Sequence, residues 1–330
     1  MAEREGPRLE RQIESQPAEI ERLLTSASVR EQVHVAVEGL HRARRLWVVG
    51  TGTSLHAAEL GAAMLGEAGR AASAVPAMQF VTQAPPIGPH DGVIVITHTG
   101  ETAYALAARA LAFTGGLDTV IITKRGTAFP RTIETVDAET SETYTVSYTS
   151  ALVALALIAQ ELGAESLSDT ALSFLPNAVQ AAIDDPGVEA IPRPERLLVL
   201  AGGGLASISA REGALKVREA ARVLAEGYDV EYLLHGSAVP LDGRDHLVTL
   251  APPDEPLVEG VAGAAAAEGI GHTHLVERST TSPVLAQIPL TARLQMLALR
   301  LAREGGQDPD TVITGAWAAE TLWNTGTPRA

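Results

Sequence analysis

The chain contains no cysteine, so disulfides, thiolate zinc sites and cysteine nucleophiles are excluded together. The same absence points to a reducing compartment. Lysine is almost missing too: Lys124 and Lys216 are the two present, and arginine supplies the rest of the basic count. No run of 18 apolar residues occurs, so no membrane-spanning helix is expected. The opening MAEREGPRLERQIES is charged from its start and has no apolar centre, unlike a secretory signal. A cytoplasmic location is the expectation. Basic residues are also outnumbered, 25 against 40 acidic ones, for a net charge of -15. That field repels nucleic acid and anionic membranes, and no basic cluster offsets it locally, so neither is an expected partner. An anionic ligand would need a local binding device.

What is present suits a globular α/β protein. The 330 residues suffice for two domains, and 46% are hydrophobic, enough for ordinary cores. Apolar positions recur at helical spacing over 8–25 and 29–44. Short apolar runs then alternate with helical stretches. Strands are expected at Leu46–Val49, Ala71–Val75, Gly92–Thr97 and Asp118–Thr123, with helices near 54–67, 102–113, 148–163 and 167–183. Such runs between helices indicate buried parallel strands. Asp184-Asp185-Pro186-Gly187 and Pro192-Arg193-Pro194 read as a linker, after which the order restarts. Strands follow at Leu197–Ala201, His246–Leu250 and near His274–Val276, with helices near 209–224, 257–268 and 290–304. Offsets close to 150 residues between the halves indicate duplication. The expected domains are 1–188 and 189–330, each a mainly parallel sheet flanked by helices in a flavodoxin- or Rossmann-like manner.

Doubly wound sheets bind ligands beyond the carboxyl ends of their strands, which directs attention to those turns. Gly50-Thr51-Gly52-Thr53-Ser54 begins like a dinucleotide fingerprint, but Leu55 holds the third glycine position and no acidic residue ends the next strand. The turn is therefore either a tight strand–helix connection or a place where Thr53 and Ser54 meet a ligand. Thr97-His98-Thr99-Gly100-Glu101-Thr102 is more informative. Hydroxyls and free N–H groups at a helix start can cradle a phosphate without lysine, although Thr99 or Thr102 could simply cap the helix. The matching second-half loop, Ala251-Pro252-Pro253-Asp254-Glu255-Pro256, carries two carboxylates and three prolines and should repel phosphate.

In the second half Glu212, Lys216 and Glu219 share one helical face, either as a solvated ion-pair ladder or as a functional group. Gly213-Ala214 would let another segment approach that helix closely. His235, before Gly236, is a lone imidazole of structural or functional kind. His272 and His274 lack a third ligand, so no metal is expected. Neither a G-x-S-x-G elbow nor a Walker loop occurs, which leaves hydrolase and NTPase readings unsupported.

The set Gly52-Thr53-Ser54, Thr97 to Thr102, Glu212-Gly213-Ala214-Leu215-Lys216-x-x-Glu219 and His235-Gly236 resembles the sugar-isomerase (SIS) domain family. More narrowly it resembles the isomerase halves of the glucosamine-6-phosphate synthases, which hold two SIS domains in tandem. Ile13-Glu14-Ser15-Gln16-Pro17 is similar to their opening motif, and the 16-residue spacing from Glu219 to His235 is retained. The resemblance implies a phosphosugar isomerase without a cofactor. Gly52, Thr53, Ser54, Thr97, His98, Thr99 and Thr102 would bind the phosphate. Glu219 would move a proton between C1 and C2, Lys216 would contact the open-chain sugar, and Glu139 would line the ligand. His235 would assist ring opening from a neighbouring subunit, which implies a homodimer. An amino-sugar-phosphate deaminase and a non-catalytic sugar-phosphate sensor are the alternatives. Departures are visible. His98 stands where the family has Gln, and Tyr232 and Leu234 stand where the family has an acidic and a basic residue before the His. The stretch from Asp308 to Ala330 lacks the synthases' Schiff-base lysine, and no glutaminase segment is present. Glutamine-dependent synthesis of an amino sugar is therefore not expected.

Overall fold

The computed structural model describes residues 5–83, 85–250, 256–280 and 282–325. In chain order the chain runs through α1 (Pro7–Thr25), α2 (Ala27–Leu40), β1 (Leu46–Gly50), α3 (Thr53–Glu67), β2 (Ala72–Pro76), α4 (Ala77–Gln83) and β3 (Gly92–Ile96). It continues through α5 (Ala103–Thr114), β4 (Asp118–Thr123), β5 (Thr132–Glu134), α6 (Val146–Glu161), α7 (Asp169–Ser173) and α8 (Leu175–Asp184). Then follow β6 (Leu198–Gly202), α9 (Ala206–Ala221), β7 (Ala225–Asp229), α10 (Val230–Tyr232), β8 (His246–Leu250), α11 (Pro256–Ala267), β9 (Gly271–Leu275), α12 (Gln287–Glu304) and α13 (Glu320–Trp323). Among the described residues no helix is long and apolar enough to cross a membrane.

Two all-parallel sheets result, ordered β2-β1-β3-β4-β5 and β7-β6-β8-β9. The first four strands of each sheet share one order, in keeping with the offset read from the sequence. β1, β3, β6 and β8 are buried along their whole lengths. These are the strands whose continuous apolar runs announced them. β5 and β7 were not expected, and β9 starts three residues before the anticipated position. All three are edge strands, and β7 and β9 are half exposed, so polar residues replace the apolar run. The single helix anticipated over 167–183 is broken into α7 and α8.

The chain packs as two compact units that interleave in sequence. One holds the first sheet and comprises Ala18–Glu139, Val146–Phe174 and the stretch from Ile313. The other holds the second sheet and comprises the stretch up to Pro17, Thr140–Thr145 and Leu175–Val312. A division at residue 188 is therefore corrected. α8 packs on α12, so it joins the second sheet. The start of α1 joins it too: buried Asp310 accepts the N–H groups of Arg8 and Leu9, and Gln16 Nε2 donates to Gln295 Oε1 at 2.8 Å.

In the first unit, α6 is buried at every position from Val146 to Ala159, as a helix apolar on all sides must be. In the second, Leu200 of β6 approaches α9 at Gly213, where a Cβ would lie 3.1 Å from Leu200 Cδ2 and 2.7 Å from Leu294 Cδ1. Glycine is required there for close packing, as anticipated. The flanking Val199 and Ala201 point to the opposite face and pack with Val230 and Leu233.

Candidate functional site

Two groups of chemistry-bearing side chains emerge, one on each unit. The first lies where the order of the first sheet reverses. β1 and β3 are neighbours, and the chain leaves them in opposite directions to β2 and β4, which makes the crevice beyond their carboxyl ends a topological switch point. α3 and α5 begin there, so two helix starts face one edge, and at α3 the N–H groups of Ser54, Leu55 and His56 already donate to the carbonyls of Thr51 and Gly52. The turn before α3 explains its glycines. A Cβ on Gly50 would lie 2.2 Å from Ser54 O, and Gly52 has φ 56° and ψ -128°, outside the range of other residues. Thr53 and Ser54 open α3.

The turn after β3 is built from hydroxyls. Buried Thr97 donates its N–H to Ile122 O, and its Oγ1 lies 3.3 Å from Thr102 Oγ1. Glu101 N–H donates to Thr99 Oγ1 at 3.1 Å, and Gly100 adopts φ 69°. Thr102 occupies the cap position of α5, yet its hydroxyl makes no capping bond. Simple helix capping therefore does not account for Thr102, while Thr99 ties the turn to itself. Thr99 and Gly100 are half-buried, and Glu101 and Thr102 are exposed, so the mouth is open to solvent.

His98 faces elsewhere. Its Nε2 accepts the N–H of Glu139 at 3.1 Å, and Glu139 Oε1 in turn accepts the N–H of Ser147 in the first turn of α6 at 2.8 Å. Burial, aided by the nearby Lys124 ammonium, holds the His98 imidazole down to about 4. The ring is neutral at ordinary pH and adds no positive charge to the turn. Both residues brace it, which is a positioning task rather than a charge-bearing one. A stability consequence follows. Between 6.5 and about 4 the unfolded chain takes a proton on His98 that the folded chain refuses. Stability contributed by the neutral ring is therefore present above 6.5 and lost as pH falls toward 4, by up to about 3 kcal/mol. Urea unfolding at about pH 7 and about pH 5 should show a smaller acid loss in His98→Gln than in the native chain.

The second group lies on α9. Lys216 Nζ donates to Glu219 Oε2 at 2.5 Å and stands 3.6 Å from Glu212 Oε1. The side chains of Glu212 and Lys216 are 0% exposed, whereas that of Glu219 is 23% exposed. A solvated ion-pair ladder is thereby excluded. Burial pushes the Glu219 carboxyl above its usual range, against the opposing pull of Lys216. The arrangement is a proton-accepting group that faces solvent, backed by a buried cation. Lys216 itself is enclosed, so the task it visibly performs is holding Glu219.

His235 is exposed in an irregular turn of φ -87° and ψ 44°, followed by Gly236 at φ 109°. Tyr232, Leu234 and Val239 around it are 62, 49 and 84% exposed. The segment carrying His235 covers the Val199 face of the second sheet, and α9 covers the Leu200 face. Glu219 and His235 of one chain therefore lie on opposite sides of a sheet, and no hydrogen bond joins them among the described residues.

His272 and His274 both share Thr249 Oγ1, at 2.8 and 2.9 Å, as hydrogen-bonded structural histidines. No group of three potential metal ligands occurs among the described residues. The Ala251–Glu255 loop, expected to repel phosphate, lies outside the described residues. One residue near the turn was not anticipated. Lys124, after β4, places its Nζ 3.5 Å from Glu101 Oε1. Its rarity was the available signal.

Comparisons with known proteins agree with this picture. Residues 39–165 match the family model described as SIS domain. A glutamine–fructose-6-phosphate aminotransferase (isomerizing) of Thermosynechococcus vestitus is 28% identical over 84% of this chain and 52% of its own length. Its namesake from Pyrococcus horikoshii is 29% identical, over 86% and 52%. The chain thus spans about half the length of these curated relatives, and it resembles their isomerase half. Among solved structures, the C-terminal domain of the Francisella tularensis glucosamine–fructose-6-phosphate aminotransferase superposes with TM-score 0.78 at 20% identity, over 92% of this chain and 97% of that one. The Escherichia coli tagatose-6-phosphate ketose/aldose isomerase gives 0.77 at 20% identity, over 95% and 98%. At these identities the likeness is one of fold.

Proposed function

We propose that this chain, which carries a SIS domain at residues 39–165, is a phosphosugar isomerase with a second SIS-type domain in its other half. It interconverts aldose and ketose forms of a hexose or amino-hexose 6-phosphate through an enediol or enolamine, without a cofactor. The observation that carries this reading is Glu219: within the Glu212–Lys216–Glu219 group on α9, it alone reaches solvent, with its carboxyl raised and Lys216 behind it. A base that takes a proton from C2 and returns it to C1 needs that combination of access and basicity. The threonine turn supplies the phosphate site. Thr97, Thr99 and Thr102 offer hydroxyls, and the Ser54 hydroxyl and the α5 amides add donors at the same edge. Changing Thr99→Val should weaken binding of a sugar phosphate by ~1.5–3 kcal/mol, because a hydrogen bond to a charged group is lost. Calorimetry with glucose 6-phosphate checks this, and unchanged affinity would remove the turn from the site.

His235 opens the sugar ring in a second copy. Glu219 and His235 of one chain lie on opposite sides of the second sheet, which supports their serving different substrate molecules. The active unit is then a homodimer, and the exposed Tyr232, Leu234 and Val239 form part of its contact. Mixing inactive Glu219→Gln chains with inactive His235→Ala chains should restore activity, since half of the sites in a mixed dimer are intact. No recovery after verified subunit exchange would refute the shared site.

The reaction itself is read by incubating the chain with glucose 6-phosphate, fructose 6-phosphate and glucosamine 6-phosphate. Exchange of the C2 proton marks an isomerase, release of ammonia marks a deaminase, and binding without either marks a sensor. A cytoplasmic location, where sugar phosphates occur, belongs to the same reading.

A further inference from the structure

Lys124 is tied to the phosphate turn through its own backbone and its neighbours. Its N–H donates to His98 O at 3.1 Å, and Thr123 Oγ1 donates to the same oxygen at 3.2 Å. Thr127 Oγ1 donates to Lys124 O at 3.0 Å, and a Cβ on Gly100 would sit 3.4 Å from both Thr123 Oγ1 and Thr127 Cγ2. The end of β4 thus buttresses the turn and fixes the base of this lysine. Its ammonium stands 3.5 Å from Glu101 Oε1, and the two side chains are 27% and 78% exposed. Nearby, Arg125 pairs with Asp137 at 2.6 Å, and Glu134 accepts the N–H of Gly126. His98 is neutral.

Glu101 is the difficulty in this arrangement. It lies one residue before the cap of α5, within the ring of groups that would surround an anion, in a chain of net charge -15. A carboxylate there opposes a phosphate dianion over a few ångströms, where the protein surroundings screen less than water does. We infer that Lys124 sets the anion affinity of the cradle by neutralising Glu101, so that an incoming phosphate meets hydroxyls and helix amides instead of an unopposed carboxylate. Lys124 is in this sense a positioning residue, and its role rests on the phosphate reading of the Thr97–Thr102 turn.

The test is a double-mutant cycle read by calorimetry with glucose 6-phosphate and, separately, with inorganic phosphate. Lys124→Met should weaken binding about tenfold at low salt, and the loss should shrink as salt screens the exposed Glu101. In a Glu101→Gln background the same change should cost less than about twofold, because the charge it answers is gone. Lys124→Arg should keep most of the affinity, which a purely packing role for the side chain would not require. Thr99→Val serves as the control for the cradle. If Thr99→Val weakens binding and Lys124→Met does not, the inference fails while the cradle stands. An equal loss from Lys124→Met in both backgrounds also overturns it, since the lysine would then touch the phosphate directly. If neither change alters affinity, the cradle reading falls and the inference with it.

Discussion

Glu219→Gln is expected to abolish exchange of the C2 proton while leaving sugar-phosphate affinity in place, a loss of about 10²–10⁴-fold in turnover. The substitution keeps the shape and the hydrogen bond from Lys216 but removes the basic oxygen pair. Glu212 is no substitute, because its side chain is fully buried behind Lys216. Hydrogen-exchange NMR of the substrate in deuterated water reads the chemistry, and calorimetry reads binding. The pH profile gives a second check. Burial raises the Glu219 carboxyl, so the acid limb of kcat/KM should fall off above the ordinary carboxylate range. In the folded chain the raised carboxyl holds its proton to higher pH, so activity is lost as pH drops through that range and regained above it. A profile flat down to the ordinary range, or a small effect of the glutamine, would remove Glu219 as the base.

Lys216→Met should be the most damaging single change to stability. It leaves Glu212 charged and enclosed, and removing one partner of a buried pair costs about 3–5 kcal/mol. Glu212→Gln added to Lys216→Met should recover much of that loss, since the stranded charge is removed with its partner. Urea unfolding of the single and double variants checks the pair. Equal stability of Lys216→Met and the native chain would mean that Glu212 is already protonated. Activity should fall in both variants, because Glu219 loses the cation 2.5 Å away that orients it.

Much of this arrangement was legible in residues alone, for reasons that differ by element. β3, β4 and β8 stand out as apolar runs because both faces of a central parallel strand are covered. β5 and β7 lie at sheet edges, where solvent accepts Glu226 or Thr132 in place of an apolar residue, so the run that marks a strand disappears. The 150-residue offset was visible because the duplicated strands are the central ones. The interleaving of the two units was not visible, since α8 looks alike whichever sheet it covers.

The candidate site divides in the same way. Spacing in the sequence placed Glu212, Lys216 and Glu219 on one helical face, because the helical period is fixed whatever surrounds the helix. Whether that face meets water or a core depends on what packs over it. α12 and β6 close against Gly213, and tertiary packing left Glu219 with an outlet that Glu212 and Lys216 lack. The threonine turn was likewise readable as a run of hydroxyls at a helix start. Its charge balance through Lys124 and its bracing by His98 and Glu139 join Glu101 to Lys124 and His98 to Glu139, 23 and 41 positions apart in the chain, brought together where β3, β4 and the start of α6 meet. The sequence by itself determined which chemistry the chain carries, since residue type and local spacing are properties of a short segment. Tertiary structure alone decided which groups are neutral, which are enclosed, and that Glu219 and His235 stand on opposite sides of one sheet, because burial and sidedness arise only when distant segments pack against each other.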